Sequence, residues 1–217
     1  MAFPGVEDLL KTGRFGAAEE LIMAFTADAE GEDRELLAAH LAELAGEYSR
    51  LGRVDDAARA RSVLLEIAGD ALPVTRARAD VSLINAWLDQ GGCLEALELL
   101  RDMPGAPLGP GPLPEGELQR LVMVAAVNVL SALADERNLA EAEALFGALR
   151  GKGFAAGNSD LMALAALNAV IVFTYAGRRA EAEEVAREME GYGKGEETAR
   201  YCAMARKIVS GMGPAPV

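Results

Sequence analysis

The sequence predicts an all-α solenoid of about five helical hairpins followed by a C-terminal capping helix, and three observations lead to this fold class. Hydrophobic residues make up 51% of the 217 residues but aromatic residues only 5%, so the core is built mainly from Ala, Leu and Val. Ala and Leu are strong helix formers, whereas strands favour aromatic and β-branched residues. The other two observations are a gapless internal repeat and a glycine that recurs five residues before an alanine.

The internal repeat joins residues 125–150 to residues 165–190 at an offset of 40 residues without a gap. The coincident positions are Ala125/Ala165, Ala126/Ala166, Asn128/Asn168 and the quartets 140–143 and 180–183. Self-similarity at a fixed period is typical of repeat architectures, in which each repeat is one supersecondary unit. These two segments are therefore one unit duplicated.

A turn glycine and a helical alanine mark the hairpins along the rest of the chain. The pairs are Gly13/Ala18, Gly52/Ala57, Gly91/Ala96 and Gly177/Ala182, with Arg137/Ala142 in the fourth unit. Glycine closes the first helix because it adopts the left-handed conformation at a cap, and a small alanine lets the second helix approach closely. The pattern predicts five units in a single domain, residues 1–217, at about 3–28, 33–68, 72–103, 116–150 and 158–190.

Two segments lie outside the hairpins. Residues 104–115 are rich in Pro and Gly, which cannot continue a helix, and we expect an extended or mobile loop that tolerates shortening. Its PLGP sequence is a weak candidate for a proline-rich ligand motif. Residues 195–211 read as an amphipathic helix that caps the last unit, with Ala199, Cys202, Ala203 and Ala205 facing inward.

Charge and cysteine usage limit the function classes. The formal charge of −13 disfavours nucleic acid and anionic membranes as partners and favours a basic or neutral protein or peptide. No run is long or apolar enough to cross a bilayer, since the best candidate, residues 161–173, is about a third shorter than the roughly 20 residues needed. The first residues lack the pattern of a signal peptide, so we expect a cytoplasmic protein. Cys93 and Cys202 show neither disulfide nor zinc spacing and are expected to pack in the core.

Catalytic and cofactor motifs are missing from the sequence. The single histidine, His40, excludes a catalytic triad and a histidine metal cluster. The glycine-rich stretch at residues 191–195 has Gly195 where a phosphate-binding loop needs Ser or Thr after the lysine. We therefore expect no enzyme activity, no cofactor and no metal.

The glycine and alanine pairs resemble the tetratricopeptide repeat family. The family's large residue near the end of the first helix is matched by Tyr48, Trp87 and Phe173, each four residues before the turn glycine. The family's Leu-Gly pair is poorly kept, and the alanines recur every 39 or 40 residues in places, against about 34 in the usual repeat. The resemblance implies hairpins whose first helices line a concave groove.

The resemblance also implies which residues face that groove. Mapping the inward positions from the turn residues gives Glu43, Arg50, Asn85, Asp89, Asn128, Ser131, Asn168 and Tyr175. A carboxylate clamp is not expected, because Val81 stands where the family's lysine would be. Members that sense peptides use asparagines on the peptide main chain, since an amide both donates and accepts. Whether Asn128 and Asn168 bind a ligand or fix the hairpin stays open.

The sequence thus predicts a non-catalytic scaffold, an adaptor or chaperone, that binds a peptide or partner segment in the groove. The alternative is a self-assembling structural solenoid, in which another copy of the chain fills the groove or packs on the terminal helices.

Overall fold

In the computed structural model of the protein, the described residues are 3, 5–26, 29–154 and 156–211. They form eleven α-helices and two short 3-10 helices, with no strand among them, so the prediction of an all-α protein is confirmed. Residues 1, 2 and 212–217 of the predicted domain lie outside the described residues, as do residues 4, 27 and 28 of the predicted first unit.

The chain divides into two compact units, Met1–Pro104 and Gly105–Val217, at the start of the Pro/Gly-rich segment. Unit 1 contains α1 (Val6–Lys11), α2 (Phe15–Thr26), α3 (Gly31–Arg50), α4 (Val54–Ala68), α5 (Pro73–Asp89) and α6 (Cys93–Asp102). Unit 2 contains α7 (Gly116–Asp135), α8 (Leu139–Lys152), α9 (Ser159–Tyr175), α10 (Arg179–Glu188) and α11 (Glu196–Gly211), with 3-10 turns at Ala156–Asn158 and Met189–Gly191. Within each unit the helices pack against their neighbours in sequence, and α3 also packs on α5 and α7 on α9.

One turn joins the two helices of each pair, and all five turns contain the same hydrogen bond. The N–H of the residue after the turn position donates to the carbonyl five residues earlier: Arg14 to Leu9, Arg53 to Tyr48, Gly92 to Trp87, Asn138 to Leu133 and Arg178 to Phe173, at 2.8–2.9 Å. This is the hydrogen bond of a Schellman cap, which needs a left-handed residue at the turn. Gly52 has φ 69° and Gly177 has φ 71°, and Arg137 takes the same conformation with φ 60°.

The alanines that follow the turns are all fully buried, with 0% of their surface exposed: Ala18, Ala57, Ala96, Ala142 and Ala182. A side chain of one carbon at this point lets the second helix of each pair pack directly on the first. The recurring spacing in the sequence is therefore a packing constraint.

Replacing Arg137 by Gly is expected to raise the free energy of unfolding by about 0.5–1 kcal/mol. The left-handed conformation costs a non-glycine residue about 1–2 kcal/mol. The change also removes the guanidinium of Arg137 from the Tyr175 ring, 5.2 Å from its centroid, a contact that contributes about 0.5–1 kcal/mol at an exposed site. Urea unfolding followed by circular dichroism measures the net effect. Gly177→Ala at the equivalent turn should instead lose stability, and a loss for Arg137→Gly would show that the contact with Tyr175 outweighs the strain.

The Pro/Gly-rich segment is a loop, as predicted, but it is packed against unit 2. Ala106 and Leu113 are each only 6% exposed. The ammonium of Lys152, at the end of α8, donates to the carbonyls of Gly109 at 2.6 Å and Gly111 at 2.7 Å. Residues that are distant in sequence thus satisfy the loop's carbonyls and hold it in place in this structure.

The C-terminal helix α11 packs against α9 and α10, but only half of its predicted inward residues are buried. Cys202 and Ala205 are buried, whereas Ala199 and Ala203 are exposed. The buried stripe runs instead through Thr198, Cys202 and Ala205 at spacings of four and three residues. Alanine is a poor guide to a helix face because it is common on both buried and exposed surfaces.

One helix of the described residues, Gly116–Asp135, is long and apolar enough to cross a membrane by length and composition alone, with a mean hydropathy of 1.4. The expectation that no run meets this criterion is therefore corrected. This helix, α7, packs against α8 and α9, and 56% of its apolar window is buried inside the protein. Core helices of globular proteins pass the same criterion.

Candidate functional site

Each of the first helices α3, α5, α7 and α9 has one face on which most residues are half-buried or exposed. Counted back from the turn position, this face carries Glu43, Ser82, Asn128 and Asn168 at nine residues, Gly46, Asn85, Ser131 and Ile171 at six, and Arg50, Asp89, Asp135 and Tyr175 at two. Spacings of three and four residues place these positions on one side of a helix. We call it the first-helix face, and all eight predicted groove residues lie on it, four in each unit.

In unit 1 this face forms a groove between α3 and α5. Two adjoining clefts of about 420 and 200 Å³ share Gly46 and Ser82. Glu43 lines the first cleft, and Arg50, Asn85 and Asp89 line the second. The remaining lining residues are Ala39, Ala42, Thr75 and Arg78 in the first cleft and Ser49 and Ala86 in the second. We refer to the two clefts together as the α3/α5 groove.

Gly46 keeps this groove open. It lies inside α3, where glycine costs about 0.5–1 kcal/mol relative to alanine. Its backbone conformation does not require glycine, because its φ is not among the positive values of the chain. A Cβ atom at this position would meet only the Oγ of Ser82, at 3.6 Å. The missing side chain therefore has the effect of leaving space above α3.

Ser49 brings a buried hydroxyl into the groove. It is 8% exposed, and its Oγ has no hydrogen-bond partner among the described residues. Serines in helices commonly bond to the carbonyl four residues earlier, as the Oγ of Ser82 does to Arg78 at 3.1 Å. An unsatisfied buried hydroxyl costs about 1–3 kcal/mol, and Ser49 lines the second cleft although its Oγ itself is buried. No pattern in the sequence pointed to Ser49 or to Gly46.

In unit 2 the first-helix face contains a second unpartnered polar atom. Asn168 is 6% exposed, and its Nδ2 has no partner among the described residues. Asn128 occupies the equivalent position of α7, is half-buried and makes an interaction of its own. Tyr175 is 53% exposed at the end of the face, beside the guanidinium of Arg137. The repeated asparagine thus has two different environments.

A cleft of about 640 Å³ between α2 and α4 is also lined by charged side chains, but several of these already interact with one another. The hydroxyl of Tyr48 donates to Glu19 at 2.8 Å, and Arg59 donates to the same carboxylate at 2.7 Å. The guanidinium of Arg53 covers the Tyr48 ring, 4.4 Å from its centroid. Burial and the hydrogen bond to Glu19 raise the pKa of Tyr48 to about 12, and the hydrogen bond from Arg59 lowers the pKa of Glu19. These groups satisfy one another, which is typical of structural networks.

Groups with reactive chemistry do not come together in the part of the chain that the structure describes. No cluster of three or more His, Cys, Asp or Glu side chains is placed there to hold a metal ion. His40 is buried on α3, and its nearest carboxylate is Glu43 at 3.9 Å. Cys93 and Cys202 are buried and form no disulfide, and burial raises the pKa of the Cys202 thiol. Both cysteines pack in the core, as predicted.

Neither family models, curated proteins nor solved structures show a match to this chain. The likeness to tetratricopeptide repeats therefore depends on the repeated residues and turns.

Proposed function

We propose that this chain is a non-catalytic scaffold of the tetratricopeptide type, an adaptor or chaperone, whose first-helix faces bind a peptide or an extended partner segment. One observation carries the proposal: each unit has a buried polar atom without a partner among the described residues, Ser49 Oγ, on a residue that lines the α3/α5 groove, and Asn168 Nδ2, on a residue of the first-helix face. Buried polar groups in folded proteins are almost always hydrogen-bonded. After a change of rotamer, each side chain could bond to the main chain of a ligand.

The repeated hairpin supports the solenoid that the proposal assumes. All five turns have the same cap hydrogen bond, and each is followed by a fully buried alanine. A helix pair with a left-handed turn residue and a small contact residue is also the unit of tetratricopeptide arrays. The proposal includes a neutral or basic protein partner and a cytoplasmic location.

The first test replaces Asn168 by Leu, which has a similar volume. In the ligand-free protein we expect the free energy of unfolding to rise by about 1 kcal/mol, because the change removes an unsatisfied buried donor. A structural role for the amide predicts a loss of about 1–3 kcal/mol instead. Asn128→Leu is the matched control, since Asn128 already has an interaction and its replacement should give no gain. Urea unfolding of the three proteins without ligand decides between the two roles.

The second part of the test measures binding. Random peptides displayed on phage are selected against the purified chain, and the selected peptides are assayed with Asn168→Leu and with Gly46→Leu. Gly147→Leu is the control, because Gly147 is an exposed glycine inside α8 where an added Cβ would have no atom within 4 Å. We expect every selected peptide to lose affinity for at least one of the two face variants and to bind the control normally. Equal binding to all three would remove the first-helix face as the site.

Self-assembly is the rival function, and one observation favours it: Met204 of the C-terminal helix is 43% exposed. In self-assembly through the terminal helix, this side chain would contact another copy. Light scattering over a range of protein concentrations separates the two functions, because only self-assembly requires a stable oligomer.

A further inference from the structure

The loop at residues 105–114 has the composition of a proline-rich ligand. Its sequence, GAPLGPGPLP, contains four prolines and no charged or hydrogen-bonding side chain. Proline has no N–H, so the loop presents mainly backbone carbonyls and apolar rings. Pro107 and Pro110 are three residues apart, which places them on one edge of a polyproline II helix with its three residues per turn. Aromatic-lined grooves recognise prolines at this spacing.

In the structure the PLGP sequence, residues 107–110, is folded into a turn and is not extended. The N–H of Gly109 donates to the carbonyl of Ala106 at 3.1 Å, which closes a four-residue turn with Pro107 at its second position. The fixed φ of proline fits that position. Pro107 is buried and Pro110 is exposed. The two prolines therefore do not present a common edge to a groove while the loop keeps this conformation.

One ammonium group holds the middle of the loop. Lys152 donates to the carbonyls of Gly109 at 2.6 Å, Gly111 at 2.7 Å and Ala106 at 3.4 Å. Residues 108–112 are otherwise only half-buried or exposed. In an extended proline-rich segment such carbonyls have no internal partner, and the Tyr and Trp side chains of a groove can donate to them. Lys152 and a partner groove would thus compete for the same carbonyls.

The two ends of the loop are held together by contacts that do not involve Lys152. Gly105 has φ 72°, and a Cβ atom there would lie 2.6 Å from the Cδ of Pro114. The Nε2 of Gln119 donates to the carbonyl of Pro114 at 2.9 Å. Ten residues extend about 30 Å along the chain, and PLGP needs about 9 Å as polyproline II. A loop with joined ends is therefore long enough to present this sequence once its middle is released.

We propose that residues 105–114 are a proline-rich ligand segment stored against unit 2, and that its partner is a protein domain whose aromatic-lined groove binds PLGP in the extended form. Lys152 keeps the segment stored, and loss of its hydrogen bonds to the loop carbonyls releases the segment for binding. The first-helix faces take no part in this interaction, so its failure leaves the proposed function intact.

Fluorescence anisotropy tests the proposal with a labelled peptide of residues 103–116 and a panel of purified SH3 and WW domains, which bind proline-rich segments in aromatic-lined grooves. We expect at least one domain to bind this peptide and to reject a peptide with alanine at the four prolines of the loop. The folded chain should compete for that domain at least about tenfold more weakly than the unlabelled peptide, because only molecules with a released loop bind. Rejection of the peptide by every domain, or equal competition by chain and peptide, would overturn the proposal.

Lys152→Met tests what holds the loop. It should compete at least about fivefold better than wild type, because a larger fraction of its molecules has the loop released. Arg150→Met, on the same helix, should compete like wild type. Adding Pro107→Ala and Pro110→Ala to Lys152→Met should abolish the gain, which separates recognition of PLGP from non-specific binding by a loosened protein. Circular dichroism confirms that the variants are folded. Competition by Lys152→Met at the wild-type level, or a gain that survives the two proline replacements, would overturn the proposal.

Discussion

Replacing Asp80 by Asn is expected to destabilise unit 1 by about 3–5 kcal/mol, because it leaves the buried guanidinium of Arg61 without a counter-ion and leaves Arg76 only the exposed Asp70, at 3.6 Å. Asp80 lies on α5 and is fully buried. Its carboxylate accepts a hydrogen bond from Arg61 of α4 and lies 3.7 Å from the Nε of Arg76. The two arginine side chains are only 13% and 16% exposed. Asparagine keeps the shape of the residue but not its charge, and urea unfolding gives the loss directly.

Asp80, Arg61 and Arg76 together are expected to add little stability compared with apolar side chains of similar size. Burial raises the pKa of Asp80, and the two arginines oppose this effect without cancelling it. The cost of taking the three charged groups out of water thus offsets much of their mutual attraction. The triple variant Arg61→Met, Arg76→Met, Asp80→Leu should therefore be about as stable as wild type.

An exposed carboxylate of the same unit provides the control. Asp55→Asn at the start of α4 should change the free energy of unfolding by about 0.5 kcal/mol or less. A loss of similar size for Asp80→Asn would contradict the argument and would mean that water reaches the two arginines.

The hairpins could be predicted from the sequence because their determinants are local. A left-handed turn residue and a buried alanine five residues later fix where one helix ends and how closely the next one packs. The fourth turn could be predicted although it has Arg137 where the other turns have glycine. The alanine five residues later, Ala142, was enough to identify the helix pair, and Arg137 adopts the left-handed conformation that glycine has elsewhere. The capping face of α11 was only half predicted, since alanines do not report which side of a helix is buried.

The candidate site was predicted at the level of helix positions but not at the level of chemistry. Counting from the turns placed the eight predicted residues on the first-helix face. The sequence could not show that Ser49 and Asn168 contain buried atoms without partners, because that depends on what neighbouring helices bring within hydrogen-bond distance. Asp80 went unnoticed for the same reason: its partner Arg61 lies on another helix, and only tertiary packing buries them together.

Replacing Lys152 by Met is expected to lower the free energy of unfolding of unit 2 by about 2 kcal/mol. The ammonium of Lys152 donates to the carbonyls of Gly109 and Gly111 at 2.6 and 2.7 Å and to that of Ala106 at 3.4 Å. Methionine keeps most of the aliphatic stem but has no donor, and hydrogen bonds to a charged group contribute about 1.5–3 kcal/mol. Urea unfolding measures the loss, and faster hydrogen exchange confined to residues 105–114 would show that the loop is released.

The control is Arg150→Met, two residues earlier on α8. Arg150 pairs with Glu184 and Glu188 at a surface where its side chain is 41% exposed, so its replacement should cost about 1 kcal/mol or less. Equal losses for the two variants would contradict the anchoring role of Lys152. The loop would then be held by the contacts of Gln119, which donates to the carbonyl of Pro114 at 2.9 Å and accepts from Asn158 at 2.7 Å. Shortening residues 105–114 should destabilise unit 2 in either case, because Ala106 and Leu113 are buried with the loop.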